Sequence, residues 1–278
     1  MTQLQLTGPV ALGGIGAGLI GSLTGLGGGF ILVPLLTLGF GFDIRYAVGA
    51  SLIAVIATSS GSAAAYVRQG FPNIRIGMLL EIGTTIGALL GAFLAPLLPG
   101  SSIGILFGLV LLHSAYHAIR AREDRVVQGG SDRFARYFQL DGSYPAKDGP
   151  VTYRVYHVAR GLILMLIAGI LSALLGIGSG IVKVLALDRV MGLPFKVSTT
   201  TSNFMIGVTA AASAGVYFSR GYIDPGLAMP VTLGVLAGAF VGGRILPGAR
   251  TPRLRTLFAS VLVAVAGYMI YNGATGRL

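Results

Sequence analysis

The chain has 278 residues, of which 54% are hydrophobic and only 10% charged, with a mean hydropathy of +0.80. Soluble proteins carry about 25% charged residues, so the composition excludes an ordinary cytosolic enzyme, a disordered chain and, with no cysteine, a disulfide scaffold; the 44 glycines follow no three-residue period, which excludes collagen. A polytopic membrane protein remains, and the excess of 20 Lys+Arg over 9 Asp+Glu, clustered at the flanks of apolar runs, reads as membrane topology rather than nucleic-acid binding.

The first ten residues carry no charge and lack a basic n-region, so they are expected to belong to the mature chain. Eight apolar blocks follow, at 9–40, 46–67, 74–98, 102–119, 155–187, 196–218, 223–246 and 254–272. About 20 apolar residues suffice to span a bilayer. The first and fifth blocks are longer, and glycines interrupt each: Gly25-Leu-Gly-Gly-Gly29 and Gly176-Ile-Gly-Ser-Gly180. Between the fourth and fifth blocks lies a polar stretch with Arg120, Arg122, Glu123, Asp124, Arg125, Arg133 and Arg136, the one loop with room for extramembrane structure. It divides the chain into an N-terminal transmembrane unit (1–120), a polar loop (121–154) and a C-terminal transmembrane unit (155–278).

The two units repeat. A shift of 151 residues places Gly18 on Gly169, Gly25 on Gly176, Gly27 on Gly178, Gly29 on Gly180, Ser51 on Ser202, Thr58 on Thr209 and Tyr66 on Tyr217. It also places Gly83, Gly87 and Gly91 on Gly234, Gly238 and Gly242. Internal repeats of this kind mark transporters. If each long block crossed once, the repeats would be parallel and the basic residues would divide weakly between the two sides. If each block enters, breaks at its glycines and returns, the repeats are inverted. Then 16 basic residues (Arg68, Arg75, eight around the polar loop, Arg189, Lys196, Arg244, Arg250, Arg253 and Arg255) share one side and 3 (Arg45, Arg220, Arg277) the other. The positive-inside rule prefers the second arrangement. The expected fold is therefore all-α, with two inverted repeats of about four helical segments each, a cytoplasmic central loop and both termini external. The charge count does not distinguish a re-entrant hairpin from two short crossings at each break.

A helix broken at membrane depth leaves backbone N–H groups to be satisfied by protein or a wet cavity. The half-helices after the two breaks point positive dipole ends inward, which favours an anion between them; close packing alone is the competing explanation. Adding a Cβ at Gly28 or Gly178 is expected to block the approach. Gly16-Ala-Gly-Leu-Ile-Gly21 matches a dinucleotide fingerprint but follows no strand, so no cofactor is expected. The glycine triplets four apart read as close helix packing. Ser51, Thr58, Ser62 and Tyr66 share a helical face, repeated by Ser202, Thr209, Ser213 and Tyr217; the second copy starts within the polar run Ser198–Asn203. These hydroxyls suit an oxyanion that must bind and leave, or hydrogen bonds between helices. Ionisable residues within spans are few. Lys183 lies three residues past Gly180 and can reach an anion, snorkel, or pair with Asp188. Glu81 lies in the third span as a proton carrier or a structural carboxyl. His113 and His117 find no further ligands, so no metal is expected.

The two signatures, Gly25-Leu-Gly-Gly-Gly-Phe-Ile-Leu-Val-Pro34 and Gly176-Ile-Gly-Ser-Gly-Ile-Val-Lys183, each lead to a Ser/Thr helix, through Val48-Gly-Ala-Ser-Leu52 and Thr199-Thr-Thr-Ser-Asn203. The whole resembles the TauE/SafE family of sulfite and organosulfonate exporters. The resemblance implies a secondary transporter, not an enzyme, that moves small sulfur-containing anions such as sulfite or sulfoacetate across the bacterial inner membrane. The second signature departs from the first at Ser179 and lacks the proline. Each charge crossing the membrane is worth about 2.3 kcal/mol per 100 mV, so an anion leaves an inside-negative cell downhill. Proton-coupled uptake through Glu81 and an anion channel are the alternatives. The expected anion site comprises Gly27, Gly28, Gly29, Ser51, Gly178, Ser179, Gly180, Lys183, Thr200, Thr201, Ser202 and Asn203. The expected partners are the anion and the lipid bilayer, with a homodimer as an option and no nucleic acid.

Overall fold

The structure, a computed structural model, describes residues 3–24, 28–68, 70–119, 132–146, 149–245 and 251–276. The first half contains α1 (Gln3–Thr24), α2 (Gly29–Pro34), α3 (Ile44–Arg68), α4 (Ile74–Leu94) and α5 (Gly100–Ile119). A short helix α6 (Arg133–Tyr137) and a two-stranded hairpin, β1 (Gly142–Ala146) and β2 (Gly149–Tyr153), follow. The second half contains α7 (Val158–Leu175), α8 (Gly180–Leu185), α9 (Phe195–Ser219), α10 (Pro225–Ile245) and α11 (Thr251–Ala274). The protein is an all-α, multi-pass membrane protein: among the described residues α3, α4 with its continuation to Leu97, and α7 are long and apolar enough to cross a bilayer.

The helices turn small and polar residues inward and large apolar residues outward, as lipid demands. On α4 the buried face carries Ile76, Gly77, Leu80, Glu81, Gly83, Thr84, Gly87 and Ala88. Its outer face carries Met78, Ile82, Ile86, Leu90 and Phe93, all exposed.

The 151-residue repeat reappears as a repeat of contacts. α1 packs along α10, and α7, its counterpart, packs along α4; α3 packs on α9, and α5 on α11. The glycines set these crossings. A Cβ on Gly87 would overlap the carbonyl oxygen of Leu166, and one on Gly238 that of Ile15, the residue 151 positions earlier than Leu166. Likewise Gly169 sits against Thr84, and Gly18 against Val235. The close-packing reading of the glycine stripes therefore holds for both pairs. It also accounts for part of the dinucleotide-like run: Gly18 is a helix contact, whereas Gly16 faces open space.

Each long block breaks and turns back. After the first break, α2 supplies six residues and then a five-residue π turn, Leu35–Gly39. After the second, α8 and the π turn Ala186–Val190 have the same lengths. At 1.5 Å per residue each limb covers about 16 Å, half of the hydrocarbon thickness of about 30 Å. Each limb is thus too short for a full crossing. Leu35 and Phe40, near the end of the first limb, lie beside Gly13 of α1. Met191, at the end of the second, accepts a hydrogen bond from Tyr156 N–H (3.0 Å), just before α7.

The connections gather at two ends. At one, the Asn73 side chain caps α4 by accepting from Ile76 N–H (3.1 Å) and donates to Leu140 O (2.8 Å) and Tyr153 Oη (2.9 Å). Its own N–H donates to Thr201 Oγ1 (2.9 Å). The α3–α4 link, the α6–hairpin segment and α9 are therefore joined by one residue. A separate apolar core of Leu140, Tyr153, Val155, Met191 and Leu193 with Ile76 and Leu80 seats the hairpin on the bundle. Burial holds the Tyr153 phenol above its usual range, Asp141 adds to this, and the Asn73 bond opposes it. At the other end Arg45 donates to Leu98 O (3.0 Å), joining the start of α3 to the α4–α5 link, while the rings of Tyr46 and Tyr222 pack edge to face at 5.7 Å.

Candidate functional site

Gly27, with Gly25 and Leu26, lies outside the described residues. Gly28 precedes α2 and its carbonyl accepts from the N–H groups of Ile31 and Leu32, both at 3.1 Å. Gly29 meets the opposite break: a Cβ there would stand 2.7 Å from Gly176 O. Only glycine lets the two chain reversals approach so closely. In the second break Gly176 (φ +66°), Gly178 (φ +68°) and Ser179 (φ +46°) all adopt left-handed backbone. For Ser179, a residue with a Cβ, that conformation is unfavourable and marks a position held by its surroundings.

The serine helices return beside the breaks as the repeat requires. Ser51 Oγ lies 2.7 Å from Gly176 O and 3.5 Å from Gly29 O. Its counterpart Ser202 donates to Gly180 O at 3.2 Å. These hydroxyls tie the α3 and α9 helices to the broken backbone. Two other hydroxyls there have no hydrogen-bond partner among the described residues although they are fully shielded, those of Ser172 and Ser179. Buried polar groups without partners are uncommon and each calls for an explanation.

Thr200 and Thr201 turn elsewhere. Thr200 bonds the carbonyls of Lys196 (2.8 Å) and Val197 (3.2 Å) on its own helix, and Thr201 receives the Asn73 N–H. Asn203 is buried on the same helix.

Lys183 is fully buried and its partner is not Asp188 but a group 102 positions earlier. Its Nζ donates to Thr209 Oγ1 (2.5 Å), and Thr209 in turn donates to Glu81 Oε1 (2.6 Å). Thr85 adds a weak bond to the same oxygen at 3.4 Å. Glu81 Oε2 lies 3.9 Å from Lys183 Nζ, beyond hydrogen-bond reach, and accepts none among the described residues. Sequence reasoning names all three residues but does not join them, because the packing of α4 on α9 is not written in any local spacing. The repeat-equivalent positions hold Leu32 on α2, Thr58 on α3 and Thr232 on α10 of the second half. The charged cluster therefore exists once. No group of three or more His, Cys, Asp and Glu residues suited to a metal is found among the described residues.

Residues 10–269 match one family profile, described as sulfite exporter TauE/SafE. The chain belongs to the TauE/SafE family. Among its relatives is the "Probable membrane transporter protein YunE" of Bacillus subtilis, 27% identical over 267 residues, covering 94% of this chain and 96% of the relative. The "Probable membrane transporter protein MJ0441" of Methanocaldococcus jannaschii is 24% identical over 91% of both chains. No solved structure matches this TauE/SafE chain. The family and its relatives make this chain a membrane transporter rather than an enzyme.

Proposed function

We propose that this transporter exports small sulfur-containing anions, sulfite, sulfoacetate or related organosulfonates, across the bacterial inner membrane, and that the anion is held between the two breaks. The observation that carries this reading is the meeting of Gly29 with Gly176, beside the partnerless hydroxyls of Ser172 and Ser179. Backbone N–H groups around Gly28–Gly29 and Gly178–Gly180 supply donors. Ser51 and Ser202 line the same place, and Lys183 lies one turn away. Thr200, Thr201 and Asn203 flank the path on α9. Such donors hold an anion weakly enough to release it, which conduction requires.

The two halves, 1–120 and 155–278, are on this reading inverted repeats that rock about the central site. Support comes from the limbs: the first runs back alongside α1 as far as Gly13, and the second returns toward the end that carries the hairpin. The central loop, 121–154, then faces the cytoplasm and both termini face outward. Ser143 is exposed on the hairpin and Thr275 at the other terminus. In this cysteine-free chain, Ser143→Cys should resist an impermeant maleimide in intact cells and Thr275→Cys should react; reaction of both from outside contradicts the inversion. The substrate reading is tested with pure protein in vesicles loaded with radiolabelled sulfite. Efflux should exceed that of equally loaded vesicles without protein and should rise when the lumen is negative. Equal leak from both refutes it.

A further inference from the structure

The Lys183–Thr209–Glu81 cluster holds an ammonium and a carboxylate inside the bundle, within a turn of the second break. Three observations bear on its use. Lys183 has no exposed surface and Glu81 keeps 7%, so neither charge is relieved by water. The pair is bridged through Thr209 rather than in direct contact, which leaves Glu81 Oε2 without a hydrogen bond. The place related to it by the repeat is neutral, with Leu32 on α2, Thr58 on α3 and Thr232 on α10. A structural ion pair would be expected to close directly and to satisfy both carboxylate oxygens. An open oxygen on a buried carboxylate, beside an ammonium carried one turn past the second break, suits exchange of partners.

The elements packed around Glu81 leave few other charges to consider. From α8 it meets Lys183, and from α9 Thr209. On its own helix it meets Thr84 and Thr85. The α7 helix, which packs along α4, brings Leu162 and Leu166 to this stretch and carries no ionisable side chain beyond Arg160 in its first turn.

We infer that Glu81 is the proton site of the transporter: one proton binds Glu81 as the anion binds Lys183, so that anion and proton occupy the protein together. This rests on the anion reading given above. Without the anion, the carboxylate is the counter-charge of Lys183 through Thr209. A proton from water forms an O–H bond at Oε2, the oxygen that has no donor. The carboxyl is then neutral, its hold on the ammonium weakens, and Lys183 offers its charge to the anion. On the other side the anion leaves, the proton returns to water, and the carboxylate takes back Lys183. A carboxylate left ionised would add its own charge to that of the anion inside the bundle. A dianion such as sulfite still carries one net negative charge with its proton, so exit remains favoured by an inside-negative potential. The neutral counterpart cluster limits the count to one proton per cycle.

The experiment is titration calorimetry of sodium sulfite into the purified full-length protein, in buffers of different ionisation enthalpy, for wild type and Glu81→Gln. Sulfite's own protonation contributes equally to both, so the difference isolates Glu81. Wild type should take up about one proton more per anion bound than Glu81→Gln. Where Glu81 is ionised, its affinity relative to that variant should fall about tenfold per pH unit. Glu81→Asp keeps a carboxyl and should keep the wild-type proton uptake, which a merely structural role would not demand. Sulfite should also raise the melting temperature of Glu81→Gln more than that of wild type, because the anion replaces the missing counter-charge. Equal proton uptake by wild type and Glu81→Gln, or an Asp variant that behaves like the Gln variant, overturns the inference and leaves the anion reading intact. Absence of sulfite binding by all three proteins overturns the anion reading and this inference with it.

Discussion

Lys183→Met should be among the most damaging single substitutions in the molecule, and pairing it with Glu81→Gln should repair most of the damage to folding. The lysine is fully buried, and among the described residues the charge that faces it is Glu81. Removing one partner of a buried pair leaves the other charge uncompensated, at a cost of about 3–5 kcal/mol. Removing both charges eliminates that cost, and replacement by neutral groups of similar volume is often close to neutral. Melting in detergent should therefore rank wild type and the double variant together, with Lys183→Met well below. Transport should not follow the same order. Both the single and the double variant lack the ammonium and should fail to move sulfite, whereas Lys196→Ala should retain flux. Lys196 lies exposed at the start of α9, its ammonium 5.8 Å from the centre of the Phe71 ring, where water and salt screen it. Recovery of flux in the double variant would reduce the lysine to a structural role. A Lys183→Met protein as stable as wild type would show that the carboxylate carries no buried charge.

Gly87→Leu should prevent the folded protein from accumulating in the membrane. The position is buried on α4, and a Cβ would overlap the Leu166 carbonyl of α7 and approach Ile170 N at 3.1 Å. These are backbone atoms, so no side-chain rotation relieves the contact and the two helices must separate. Overpacking a core with movable side chains costs about 1–3 kcal/mol; forcing two helix backbones apart also removes the close contact that holds membrane helices together. Gly238→Leu meets the same obstacle at Ile15 and should fail in the same way. Gly16→Leu, on an exposed face of α1 with nothing within 4 Å, should fold normally. Membrane yield and fluorescence-detected size exclusion separate these outcomes. Normal yields for Gly87→Leu would contradict the crossing described above.

The same geometry changes what a break variant can report. Gly28→Val meets Ala17 O at 3.1 Å and Val235 Cγ1 at 3.4 Å, a tight but local fit. Gly178→Val is different, because φ is +68° and the new Cβ would lie 2.8 Å from Ile206 Cγ2. A valine there strains the backbone whatever the space, so loss of transport in that variant would not by itself locate an anion.

Much of this architecture is legible in the amino-acid sequence because the bilayer leaves few options. A polar backbone break at membrane depth must be buried in protein or line a wet cavity, which makes the two glycine runs conspicuous among apolar residues. The repeat is legible because Gly18, Gly87, Gly169 and Gly238 are fixed by backbone contact and cannot drift. The hairpin is not legible. Its strands are five residues each and contain Pro145 and Pro150, which argue against strand in any sequence reading. The Lys183–Glu81 pair is hidden for another reason. It joins α8 to a helix of the other half, and its bridge, Thr209, is one hydroxyl in a stripe whose next member, Ser213, serves its own helix by bonding Thr209 O. The direction of Thr201 depends on Asn73, a residue with hydrogen bonds that gather parts of the chain more than 60 positions away.

Whether an anion binds where the two breaks meet is decided by a structure of the full-length protein with sulfite present. Sulfite density is expected within hydrogen-bond reach, about 2.7–3.2 Å, of backbone N–H groups in both glycine runs, with Ser172 or Ser179 and Lys183 turned toward it. Density more than about 8 Å from both breaks, well outside that reach, would contradict the placement even in a protein that transports sulfite.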